Sequence, residues 1–160
     1  MTKKKQTINL YYCLAVVLSL VAICMIFVPN VKIVGTLSDA VHYTGNGIST
    51  VFGMKDGSLS VFSFSVLSLL TYLLPLCALI LMALKMAKVS KSNLLDIISI
   101  VLLVVSAVFF FIAPSFAISE YANTLGSLAS KKLAIGAILG GVFSALSAVI
   151  LCLNLVLKKK

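Results

Sequence analysis

Residues 134–157 read AIGAILGGVFSALSAVILCLNLVL, twenty-four positions without a charge. A helix rises ~1.5 Å per residue and a bilayer's hydrocarbon core is ~30 Å thick, so about 20 apolar residues cross it. Working outward from this stretch, three more of its kind appear at 8–28, 61–84 and 94–113, and the four together hold 89 of the 160 residues. The whole chain is 61% hydrophobic and only 11% charged, where a soluble domain carries roughly a quarter charged residues. That composition excludes a soluble globule and a disordered chain. A membrane β-barrel would alternate polar and apolar residues in short strands. Runs such as Val101-Leu102-Leu103-Val104-Val105 do not alternate. The fold class is therefore all-α membrane, a single domain over 1–160 built as a four-transmembrane-helix bundle. The connections are outer loops at 29–60 and 114–133 and an inner loop at 85–93.

Charge sets the orientation. All thirteen cations are lysine. Lys3, Lys4, Lys5, Lys85, Lys88, Lys91, Lys158, Lys159 and Lys160 fall on one side of an even number of crossings, with Asp96, for a balance of +8. The other side holds Lys32, Lys55, Lys131 and Lys132 against Asp39, Asp56 and Glu120, a balance of +1. Lysine excess in short loops marks the cytoplasmic face, so both termini are expected in the cytosol. The net charge of +9 is thus a topology signal and not a nucleic-acid surface, which would want a contiguous basic face with arginine and stacking aromatics. The first stretch is too long for a cleaved signal peptide and has no small-x-small site before Pro29.

Between the spans, residues 30–60 hold three β-prone runs, 31–34, 40–43 and 48–52, with turn-formers at Thr44-Gly45-Asn46-Gly47 and Gly53 and Gly57 flanking a second turn. A small hairpin or meander is expected there, a β-prone first extracellular loop. Residues 115–133 carry apolar side chains at helical spacing, which suggests an interfacial amphipathic segment, with Lys131 and Lys132 snorkelling where the fourth span begins.

Four features inside the spans carry chemistry or packing. In the fourth span Gly136, Gly140, Ser144 and Ala148 recur every four residues, and Ala137, Gly141 and Ala145 form a ridge beside them. Small residues at this spacing let backbones approach closely, within the chain or between copies of it. Pro75 in the second span cannot donate to the Thr71 carbonyl, so a kink is expected, with a nearby hydroxyl free to serve that carbonyl. Asp96, three residues after Asn93, reads as the capped first turn of the third span, paired with Lys88 and Lys91. Asn154 is placed to hydrogen-bond across the fourth span's packing contact. The four cysteines, Cys13, Cys24, Cys77 and Cys152, read as small buried apolar residues.

No spacing pairs a nucleophile with a base, and His42 is the only histidine, so the sequence indicates no catalytic residue, no metal site and no cofactor. The expected partners are the lipid bilayer and another membrane protein or a second copy of the chain, with no nucleic acid. The expected function is a non-enzymatic structural or partner-binding subunit that presents an outer loop. The alternative is a homo-oligomeric channel or small-solute transporter component, for which the Ser63, Ser65, Ser68 and Thr71 row, with Pro75 and Asn154, is the only hint.

A lysine-rich start, the turn Val-Phe-Gly-Met-Lys-Asp-Gly at 51–57, Leu-Leu-Thr-Tyr-Leu-Leu-Pro at 69–75, a third span closing on Phe-Phe-Phe-Ile-Ala-Pro-Ser, and Ile-Gly-Ala-Ile-Leu-Gly-Gly-Val-Phe-Ser at 135–144 run through most of the chain. In this pattern it resembles uncharacterised small four-helix integral membrane proteins of low-GC Gram-positive bacteria. The resemblance implies a bacterial plasma membrane and no particular activity. The outline is also similar to claudins, but their outer-loop tryptophan motif and cysteine pair are missing here, so no claudin function is carried over.

Overall fold

The structure is a computed structural model that describes residues 2–36, 40–57, 59–87 and 93–159. Four of its helices are long and apolar enough to cross a membrane: α1 (Thr2–Cys24), α3 (Val66–Met86), α4 (Leu94–Phe111) and α7 (Ile135–Lys159). α1 packs on α3 and α7, and α4 packs on the same two helices, which closes a ring of four antiparallel neighbours. Both chain ends and the α3–α4 connection therefore lie at one end of the bundle, called here the termini end.

The bundle is small and hydroxylic inside and large and apolar outside. Ala15, Ser19 and Ala22 of α1 are fully buried, as are Ala78 and Met82 of α3, Leu103, Ser106 and Phe110 of α4, and Ala137, Ser144, Ser147 and Leu151 of α7. The outward faces carry leucine, isoleucine, valine and phenylalanine, from Leu14 and Leu20 to Val149 and Val156. Lipid tails are as apolar as leucine, so large side chains gain nothing by turning inward. Small ones turn inward because they let backbones and hydroxyls meet. The cysteines follow the same logic in reverse of the expectation above: all four are free and face outward.

The opposite end is capped by a β module that draws on both long connections. β1 (Pro29–Gly35) is the central strand of an antiparallel sheet of order β2-β1-β5, with β2 at Val41–Asn46 and β5 at Ala129–Leu133. Val31 pairs Leu133 and Gly35 pairs Ala129 on one side; Lys32 pairs Thr44 on the other. A second hairpin joins β3 (Met54–Asp56) to β4 (Leu59–Phe62). Short helices α2 (Gly47–Phe52), α5 (Ala113–Phe116) and α6 (Glu120–Leu125) fill the corners. Val31, Ile33, Val61, Phe62, Ala117 and Ala122 form the module's own core.

Several expectations are corrected here. The run 48–52 is helix α2 and not a strand. Asn46 caps it, its Oδ1 accepting from the Ser49 backbone N–H at 2.8 Å, and Gly53 ends it at φ 96°. A local cap and a left-handed stop outweigh the β preference of Ile48, Thr50 and Val51. Thr44, Gly45 and Asn46 are strand and not turn. The third span's partner α3 begins at Val66, because Val61 and Phe62 belong to β4. Residues 115–133 do not form one amphipathic helix: α6 covers six of them and β5 the last five. Lys131 and Lys132 accordingly lie in a strand, and Lys131 Nζ donates to the Ala117 carbonyl at 2.7 Å. Lysines on an edge strand also discourage further pairing.

Candidate functional site

Inside the bundle, the glycine ridge of α7 lies against its own chain. A Cβ on Gly136 would sit 2.7 Å from the Pro29 carbonyl oxygen and 2.9 Å from Asn30 Oδ1. One on Gly140 would sit 2.6 Å from the Phe110 ring, and one on Gly141 3.0 Å from the Phe111 ring. Ser144 is buried beside them, and Ala148 belongs to the cluster of Ala15, Ala78, Met82, Leu103 and Leu151. Ala145 and Ala148 line an apolar groove between α4 and α7 with Ile100, Val104, Val108 and Cys152, about 380 Å³ in volume.

Of the serine and threonine row, Ser65 and Thr71 serve backbone carbonyls and Ser63 serves side chains, while hydroxyls of the neighbouring helices bond across the bundle. α3 runs unbroken through Pro75, and the Thr71 carbonyl that Pro75 cannot serve accepts instead from Ser106 Oγ at 3.1 Å. Ser19 Oγ donates to the Pro75 carbonyl at 3.2 Å and Ser147 Oγ to the Ala15 carbonyl at 2.7 Å. Ser65 caps α3 and donates to the Phe116 carbonyl at 2.7 Å. Cross-helix bonds of this kind contribute ~0.6 kcal/mol each in a membrane bundle. These hydroxyls tie helix to helix and do not line a path.

At the termini end, Asp96 is 4% exposed and pairs with Lys85, whose side chain is 11% exposed. Lys85 is a partner that the sequence reading did not name. α3 continues to Met86, so Lys85 stands in its last turn facing the first turn of α4. Lys88 and Lys91 lie outside the described residues, as do Asp39 and Lys160. Asn93 is itself helical and its side chain makes no cap. The Tyr12 hydroxyl donates to the Met82 carbonyl at 3.2 Å and lies beside Asp96. Asn154 is 5% exposed on α7, and neither its Oδ1 nor Asp96 Oδ1 receives a hydrogen bond among the described residues.

On the capping module, an open cavity of about 610 Å³ is bounded by Phe52 and Gly53 at the end of α2, Met54 and Lys55 of β3, Ser60 and Phe62 of β4, then Ser63, Phe64 and Glu120. Ser60 and Ser63 share a hydrogen bond of 3.1 Å, and Ser63 Oγ donates weakly to Glu120 Oε1 at 3.5 Å. The Ser63 backbone is held to Ile118 by a β-bridge, which brings α6 and Glu120 to this side. No sequence motif marked these residues. They come from four segments, and only the β3–β4 hairpin and the 63–118 bridge bring them together. Beside the cavity, Tyr43 donates to Asp56 Oδ2 at 2.8 Å and stacks edge-on against Tyr121 at 4.9 Å. The bond to Asp56 raises the Tyr43 hydroxyl above its ordinary pKa. His42 is exposed next to Tyr121, their ring centroids 6.3 Å apart.

No group of three His, Cys, Asp or Glu able to hold a metal ion occurs among the described residues. No family model matches the chain, and neither a curated protein nor a solved structure matches it. Its four long apolar helices make it a multi-pass membrane protein.

Proposed function

We propose that this is a non-enzymatic plasma-membrane subunit whose bundle serves as a rigid mount for the capping module, presented outside the cell to a partner membrane protein. The observation that carries this reading is the sheet β2-β1-β5, which makes one folded unit of two connections by pairing β1, which starts at Pro29, with β5, which starts at Ala129. Mere linkers between spans would have no need of a shared core. The module keeps a set of large apolar side chains on its surface: Val41 at 54% exposed, Leu59 at 54% and Leu128 at 53%. The lysine balance of +8 at the termini end and +1 at the capped end supports a cytosolic position for both termini. The bacterial plasma membrane follows from the resemblance described above.

The channel alternative is weaker because, of the row it relied on, Ser65 and Thr71 donate to backbone carbonyls and Ser63 turns to Ser60 and Glu120 of the capping module. The deciding experiment is purification in a mild detergent followed by native mass spectrometry and liposome flux. A stoichiometric complex with a second membrane protein, lost when Val41 and Leu59 are changed to serine, supports the proposal. A closed homo-oligomer that conducts ions or passes solute in liposomes refutes it. Orientation is tested by thiol labelling of single cysteines placed at Lys55 and Lys160, with the native cysteines changed to alanine.

A further inference from the structure

We infer that the cavity between β3, β4 and α6 is a binding site for a zwitterionic amphiphile, a membrane phospholipid whose headgroup carries a phosphate and a primary ammonium. Three observations lead there. The first is position. Ser65 caps α3, whose first residue, Val66, begins a membrane span, so Ser63 and Phe64 stand at the edge of the hydrocarbon. Phe52 is 64% exposed and Phe64 52% exposed at this level, at the mouth of the cavity. Exposed phenylalanines beside a span are stable where acyl chains cover them.

The second is polarity along the membrane normal. β4 runs toward the span, and its register places Met54 opposite Phe62 and Lys55 opposite Ser60. Two residues of strand are about 7 Å, so the Lys55–Ser60 pair lies one step farther from the lipid than the Met54–Phe62 pair. The wall therefore changes from phenylalanine and methionine below to lysine and serine above. A phospholipid changes from chain to headgroup over a comparable distance.

The third is charge. Lys55 on one wall and Glu120 on another supply one cation and one anion, and no ion pair joins them. Ser60 and Ser63 form a hydroxyl chain that ends on Glu120 Oε1, and the exposed Glu120 lines the cavity. A phosphate suits Lys55, and an ammonium with N–H donors suits Glu120. A trimethylated ammonium has no N–H to give. Phosphatidylethanolamine is thus favoured over phosphatidylcholine, although the two differ only in those methyl groups. The shared chemistry, an ethanolamine phosphate, also occurs free in solution, and the experiment separates the two sources.

The full-length protein is reconstituted in nanodiscs of equal phosphatidylethanolamine and phosphatidylcholine, and the lipids it retains are weighed by native mass spectrometry. The expected result is about tenfold enrichment of phosphatidylethanolamine, the size of one charge-assisted hydrogen bond. Glu120→Gln should bring the ratio near unity, Lys55→Gln should lower the total lipid retained, and Lys32→Gln on the far sheet should change neither. Lys55 and Glu120 are exposed, so both variants should fold, and a thermal melt verifies this. Retention in proportion to disc composition overturns the inference, as does undiminished enrichment in Glu120→Gln. Saturable binding of glycerophosphoethanolamine without any lipid enrichment overturns the membrane source and transfers the cavity to a soluble zwitterion. In discs that also hold an equal share of phosphatidylglycerol, a preference for that lipid that depends on Lys55 alone overturns the ammonium half of the site.

Discussion

Two adjacent glycines should respond to the same substitution with opposite signs. Gly140 and Gly141 both sit in α7, and alanine adds one methyl at each. At Gly140 that methyl would lie 2.6, 2.8 and 2.9 Å from three atoms of the Phe110 ring. Phe110 has no exposed surface and is held edge-on against Tyr72 at 5.3 Å, so it has nowhere to move. Overpacking of a closed site costs about 1–3 kcal/mol, against which alanine's better helix propensity returns at most about 1 kcal/mol. Gly140→Ala should therefore destabilise by about 1–2 kcal/mol. At Gly141 the nearest atoms, at 3.0 Å, belong to the tip of Phe111, which is 43% exposed and can swing toward lipid, and the fixed Phe110 Cβ stands farther off at 3.3 Å. Gly141→Ala should range from neutral to slightly more stable, by less than about 1 kcal/mol. Reversible unfolding in mixed micelles measures both. Gly140→Ala should also lose most of its cost in a Phe110→Leu background, where the ring is gone. The packing argument fails if the two glycines respond within about 0.5 kcal/mol of each other, or if the Gly140→Ala cost persists without the ring.

The remaining predictions use the same unfolding assay unless stated. Lys85→Met alone should cost about 3–5 kcal/mol by stranding Asp96, whereas adding Asp96→Leu should recover most of it; equal damage from the single and double variants would contradict a buried pair. Ser106→Ala should cost on the order of 0.6 kcal/mol, and nothing in a Pro75→Ala background, where the restored backbone N–H serves the Thr71 carbonyl. The Tyr43–Asp56 bond raises the tyrosine pKa above its ordinary value of 10.0, so its stabilisation is complete below that pH and is lost as pH climbs through the folded-state value. The protection factors of Met54–Asp56 and Leu59–Phe62, taken relative to the intrinsic base-catalysed exchange rate, should therefore fall in strong alkali in the natural chain, and a Tyr43→Phe variant should show no such step.

The spans were legible because lipid leaves so few solutions: every backbone amide must pair internally, so twenty uncharged residues announce a helix. The module was legible only in part. Residues 31–34 and 41–43 carry β-branched and aromatic side chains and are strands. Ala129-Ser130-Lys131-Lys132-Leu133 has no such preference, and its strand form comes from the open edge of β1. In α2 the decisive letters were Asn46 and Gly53, at the ends, and not the β-branched residues between them. Lys85 was taken for a loop lysine because apolar patterning alone does not say that α3 continues to Met86. The cavity at Lys55 and Glu120 has no local signal, since strand register and a single bridge create it.

The pairing of β1 with β5 has a consequence for how the chain is made. Its first strand ends at Gly35 and its last begins at Ala129. A ribosome adding about 5–20 residues per second needs roughly 5–20 s to travel that far. Throughout that interval one side of β1 stands bare. Only the arrival of 129–133, just ahead of the last span, closes it. The finished cap is thus a record that synthesis has passed the third span and reached Leu133, and a chain cut short before that point would leave the flank of β1 open to proteases.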